Sequence, residues 1–251
     1  MYGLNIPDMS KIVYSFELIP IPIDVDYGTT APIYDSFIRL VNPKVKAIML
    51  TYIFGIMYPI DQIVSICKEK NIEIVEDAAE TFLGRKYGGS PHAAITMMSF
   101  GLIKRCTSFI GCVAFVRDPS LYEAMNKINE SYPIYPEKLF LRKALNTLLP
   151  LVALNNSTIN FGAMTIARWL KVDVKELVVS QLRGFKNEKE FLHKFCFKPC
   201  AANLYFLSYR LSNFSQDDYV KNIDKLQHAV NVLEAHSIYC PGYKVKNRGF
   251  W

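Results

Sequence analysis

No apolar run in this 251-residue chain approaches the ~20 residues that cross a bilayer. The best stretch, Ala144 to Leu154, carries Asn146, Thr147 and Pro150, and reads as a core or surface helix rather than a membrane span. The opening residues, Met1 to Asp8, lack the basic and apolar regions of a signal peptide, so no export route is expected. Cysteine is sparse and scattered, at 67, 106, 112, 196, 200 and 240. Without a secretory signal this predicts reduced thiols and a cytoplasmic protein. Cys196 and Cys200 stand four apart on a predicted helix, but no second pair of matching spacing completes a zinc site. The histidines at 92, 193, 228 and 236 fall in no ligand spacing either, and no metal is expected.

What is present is a core. Apolar residues make up 51% of the chain, and Gly and Pro are too few for a disordered or collagen-like sequence. The net charge of +6 is uneven: residues 1–118 hold 11 Lys+Arg against 12 Asp+Glu, and residues 119–251 hold 18 against 11. A basic second half attracts anions in principle. The charges are spread, though, and read first as solvated helix faces. The aromatics Phe191, Phe195, Phe197, Tyr205 and Phe206 read as core or interface surface rather than a base-stacking platform, so no nucleic-acid partner is expected.

To about residue 118 the chain alternates short apolar runs with helical spacing. Strands are predicted over 18–25, 46–54, 72–75, 94–100 and 111–116, with helices over 32–41 and 59–70. That order predicts an α/β fold with a mainly parallel sheet, covered by right-handed crossovers. After Asp118 the texture turns helical, over 121–128, 138–149, 159–170, 188–195, 203–211 and 217–236. The expected division is a core at 1–118 and a helical region at 119–251. Tyr132 to Pro136 reads as a rigid connector.

In parallel sheets, ligands bind beyond the carboxyl ends of the strands. One strand delivers Asp77 there, another delivers Ser99, and Lys104 follows in the loop, 27 residues after Asp77. A lysine and an acid in this setting are the minimum kit for pyridoxal phosphate (PLP). The amine bonds the cofactor aldehyde, and the acid keeps the pyridine nitrogen protonated so that the ring accepts electrons. The same residues have plainer uses, since an Asp after a buried strand caps the following helix and loop lysines are solvated.

Glu76-Asp77-Ala78-Ala79-Glu80, then Gly84, Tyr87-Gly88-Gly89, Ser99-Phe100 with Lys104, Thr107 and Gly111 together resemble the DegT/DnrJ/StrS sugar aminotransferases. Pro43 to Ile48, Phe54-Gly55 and Asp61 fit the same resemblance. It implies the large domain of a fold type I PLP-dependent transferase, truncated, followed by a helical C-terminal region. The implied reaction moves an amino group from an amino acid, glutamate, to a keto-sugar, nucleotide-linked, and the implied assembly is a homodimer. Lys104 would form the Schiff base and shuttle the proton, Asp77 would pair with the ring nitrogen, and Ser99 would bind the cofactor phosphate.

Glu80 stands where the family has Gln, on the ring-hydroxyl side of the cofactor. A carboxylate there accepts hydrogen bonds but does not donate them unless protonated. Tyr52 takes the place of a family His, and Cys112 that of a Gly after the lysine loop. Family members also carry a phosphate-cradling loop at a helix N-terminus, ahead of the part this sequence matches. Nothing in residues 1–30 replaces it, and the end at Gly249-Phe250-Trp251 precedes the rest of their small domain, so a fragment is expected. The alternative reading is a catalytically inactive remnant that serves as a dimerisation or structural partner.

Overall fold

The computed structural model describes residues 3, 5, 7–84, 88–155, 161, 162, 165, 169 and 195–240. Helix α1 (Pro7–Ser15) opens the chain, followed by α2 (Tyr34–Leu40) and strand β1 (Ala47–Thr51). A single 3-10 turn, Ile53–Gly55, leads to α3 (Asp61–Lys70). Strands β2 (Glu73–Asp77), β3 (Ile95–Ser99) and β4 (Cys112–Val116) complete one sheet. Helices α4 (Pro119–Ser131), α5 (Glu137–Asn155), α6 (Ala201–Ser212) and α7 (Gln216–Ala235) follow. Among the described residues no helix is long and apolar enough to cross a membrane.

The sheet order is β1-β2-β3-β4, with β1, β2 and β3 parallel and β4 antiparallel to β3. This is the expected mostly parallel α/β sheet. Strands β1, β2 and β3 alternate in burial because successive side chains leave a pleated strand on opposite faces. Ile48, Leu50, Ile74, Glu76, Thr96 and Met98 lie on the buried face. Phe100, Tyr52, Ile63, Val64 and Cys67 join the core around them. Helix α3 supplies the last three of these from one face, and it stops at Asn71, whose left-handed backbone (φ 54°) suits an asparagine C-cap.

Two expectations need correction. The stretch 18–25 is not a strand, and only an isolated bridge forms there, Val25 to Pro32. Pro20 and Pro22 remove the N–H donors that a ladder would use. Cys196 and Cys200 do not share a helix face. The backbone of Lys198 pairs instead with Pro133 and Tyr135, and α6 begins only after Pro199. The helices expected over 159–170 and 188–195 fall largely outside the described residues.

Chain contacts define two compact units, residues 1–128 with 207–251, and residues 129–206. In the second, Ile134 bridges Lys198 and Tyr135 meets Phe197 edge-on at 5.6 Å. In the first lie all the candidate site residues, Asp77 and Ser99 at strand ends and Glu80 and Lys104 in the segments that follow.

Candidate active site

Parallel pairing brings the carboxyl ends of β1, β2 and β3 to one edge, with Thr51, Asp77 and Met97 in register. The pleat then sorts the side chains. Glu76 turns into the core, and Asp77, the next residue, belongs to the opposite face together with Ser99. A chain segment turned by the Lys104 N–H bond to the Gly101 carbonyl (3.0 Å) returns Lys104 over that face. Glu80, Ser99 and Lys104 line one cavity with Ala79, Phe82, Ile103 and Arg105. The structure thus brings three of the four predicted residues into a single wall. Asp77 is not in that wall, but it feels the charges of both Lys104 and Glu80.

Lys104 Nζ lies 3.3 Å from Glu80 Oε1, with both side chains largely shielded from solvent. The other carboxylate oxygen, Oε2, accepts the Phe54 N–H at 2.8 Å. Phe54 itself holds a left-handed backbone (φ 57°), uncommon for a bulky residue, so Glu80 ties a strained turn to the lysine. Ser99 Oγ accepts the Gly101 N–H at 3.3 Å, and its hydroxyl also carries a proton to donate.

Burial pushes the Asp77 carboxyl above its ordinary value, with the Glu80 charge adding to it. The Ala79 N–H, at 3.2 Å, the Lys104 charge and a bond from Thr51 act the other way without cancelling the effect. The folded chain therefore holds the Asp77 proton more tightly than the unfolded chain does. Stability from this residue is complete below the unfolded value of 3.8 and declines as pH rises through the folded one. Asp77→Asn is accordingly expected to be more stable than wild type at neutral pH, with the gain fading below pH 3.8. Urea midpoints at the two pH values check this, and a less stable Asn variant at neutral pH contradicts it.

Beneath the site lies a group whose role the sequence reading missed. Glu76 is fully buried and accepts three hydrogen bonds, from Tyr52 Oη at 2.7 Å, Thr96 Oγ1 at 2.6 Å and the Ser90 N–H at 2.8 Å. The available signal was the alternation within β2, which sends Glu76 and Asp77 to opposite faces. Gly89 packs against this network. It sits at φ +86°, and a Cβ there would overlap the Thr96 side chain. Gly89→Ala is expected to destabilise the chain by about 1–3 kcal/mol in chemical denaturation, through strain and overpacking. A change indistinguishable from zero would show that Thr96 yields freely.

Residues 9–131 match the model of the DegT/DnrJ/EryC1/StrS aminotransferase family. The match covers just under half of the chain. GDP-perosamine synthase of Escherichia coli O157:H7 is 32% identical over 107 residues, covering 41% of this chain and 29% of the enzyme. The dTDP-4-dehydro-2,3,6-trideoxy-D-glucose 4-aminotransferase of Saccharopolyspora spinosa is 27% identical over 104 residues, covering 41% of this chain and 27% of that protein. Among solved structures, the aminotransferase TlmJ of Streptoalloteichus hindustanus superposes with a TM-score of 0.44 at 25% identity. That superposition covers 51% of this chain and 35% of TlmJ. The match thus spans less than a third of the curated relatives. All four predicted site residues lie inside the family segment, and the family implies PLP.

Proposed function

We propose that this chain supplies the lysine-bearing part of a PLP-dependent aminotransferase, which moves an amino group from an amino acid, glutamate, to a nucleotide-linked keto-sugar. The observation that carries the reading is the convergence of Lys104, Glu80 and Ser99 on one cavity beside Asp77, within the family segment. The names of the two curated relatives, which refer to GDP- and dTDP-linked sugars, support the substrate class.

The donor set fits the cofactor at three points. Lys104 offers an amine at the cavity wall and Ser99 a hydroxyl donor. Asp77 offers a carboxylate whose burial opposes its charge, so a cationic ring nitrogen beside it would relieve that burden. When bound, the cofactor supplies an aldehyde and an electron-accepting ring. Lys104 then serves as nucleophile and proton carrier, Ser99 as an anchor for the phosphate, and Asp77 as the charge partner of the ring. Glu80 is the poorer fit, because its carboxylate already pairs with Lys104. That pairing favours the second reading, a non-catalytic chain acting as a structural partner.

The deciding experiment is cofactor titration followed by borohydride reduction and peptide mapping. A pyridoxyl group fixed on Lys104 supports the enzyme reading, and a chain that takes up none supports the structural one. The enzyme reading also makes the chain a homodimer, and sedimentation of a stable monomer at micromolar concentration would contradict that.

A further inference from the structure

We propose that Glu80 acts as a latch on Lys104, a positioning residue whose carboxylate holds the ammonium group against the cavity wall until an incoming ligand displaces it. The inference rests on the proposed role of Lys104 but concerns a separate event, the release of its amine. The two oxygens of Glu80 are both engaged. Oε1 meets Nζ at 3.3 Å, and Oε2 accepts the Phe54 N–H at 2.8 Å. Anchoring on a backbone donor fixes the carboxylate in place, so it does not follow the lysine when the lysine moves.

The lysine and glutamate side chains are 16% and 20% exposed, so water screens the pair less than it screens a surface contact. An amine attacks a carbonyl only when its nitrogen can turn toward that carbon, and the Nζ–Oε1 contact holds the nitrogen toward Glu80 instead. The contact must therefore open before Nζ bonds to anything. A ligand that offers Glu80 a hydrogen-bond donor, or that brings its own anion to Lys104, would open it. An amide at position 80 keeps the shape but loses the charge, and would leave the lysine unlatched.

The test is competitive acetylation of the 251-residue chain at one fixed pH without cofactor, read by mass spectrometry at Lys104 against the exposed Lys44 and Lys68. In Glu80→Gln, labelling of Lys104 relative to these two is expected to rise about three- to fivefold, the range an ion pair of this exposure supports. Glu80→Asp separates charge from shape. It keeps the charge but draws the carboxylate back by one methylene, so Lys104 should label at a rate between wild type and Glu80→Gln, whereas a purely structural role would make the shorter Asp faster than Gln. Should the Gln chain fail to fold, Glu80→Ala takes its place in the same comparison.

Equal labelling in wild type and Glu80→Gln, or faster labelling in Asp than in Gln, overturns the latch. Reduction with PLP and borohydride is run on the same samples. A pyridoxyl group on Lys104 without a labelling difference removes the latch and keeps the cofactor reading. A labelling difference with no pyridoxyl group on any lysine keeps the latch and removes the cofactor reading.

Discussion

Lys104→Ala is expected to take up no pyridoxyl group on borohydride reduction where the wild-type chain does, and transamination by any assembly containing the variant is expected to fall to background. The expectation follows from position rather than from lysine content. Lys104 follows the β3 strand end by five residues and reaches the cavity that Ser99 also lines. The exposed Lys44 and Lys68 do not line that cavity. Reduction makes the experiment sensitive even where cofactor binding is weak, because a transient carbon–nitrogen bond becomes permanent. Lys104→Arg is the matched control. It keeps a cation for Glu80 and preserves the local fold, yet it offers no amine to trap. Asp77→Asn should still take up cofactor but lose most of the activity, since the ring nitrogen loses its charged partner. A fixed group that persists in Lys104→Ala at the wild-type level would place the chemistry elsewhere.

Glu76→Ala is expected to lower the unfolding free energy by about 3–5 kcal/mol, enough to unfold a marginal domain near physiological temperature. Three donors converge on this carboxylate, from Tyr52, Thr96 and Ser90. Each buried donor left without an acceptor costs about 1–3 kcal/mol, and a trapped water would recover part of that. The truncation also opens a void under the sheet. Glu76→Gln is milder in volume but presents an amide N–H₂ to groups that donate, so it too is destabilising. Urea denaturation followed by far-UV circular dichroism measures the change. A loss below about 1 kcal/mol would mean that the three donors find other acceptors when Glu76 is gone. The consequence for function is indirect. Thr96 and Tyr52 flank the strand ends that present Asp77 and Ser99, so loosening Glu76 loosens the site's floor.

The alternation of apolar runs and helical spacing was enough to place four strands and most of the described helices within a few residues. Local patterning carries that information because each element must hide one face. The sequence by itself also named Asp77, Ser99 and Lys104 as candidates, since residue type and spacing along the chain need no folded context. It misjudged 18–25, where Ile-rich content suggested a strand while Pro20 and Pro22 deny it a ladder. It also put Cys196 and Cys200 on a helix that Pro199 and the pairing of Lys198 with Pro133 exclude. Only the tertiary structure decided what Glu76 and Glu80 do. Both stand in one five-residue segment, Glu76 to Glu80, and strand alternation there names neither glutamate's partners. Strand pairing buries Glu76 under Tyr52 and Thr96, which come from 24 and 20 residues away. The turn after β2 sets Glu80 against Lys104, 24 residues on. Contacts between residues distant in sequence depend on the register of whole strands, and register is a property of the folded sheet, not of any one segment.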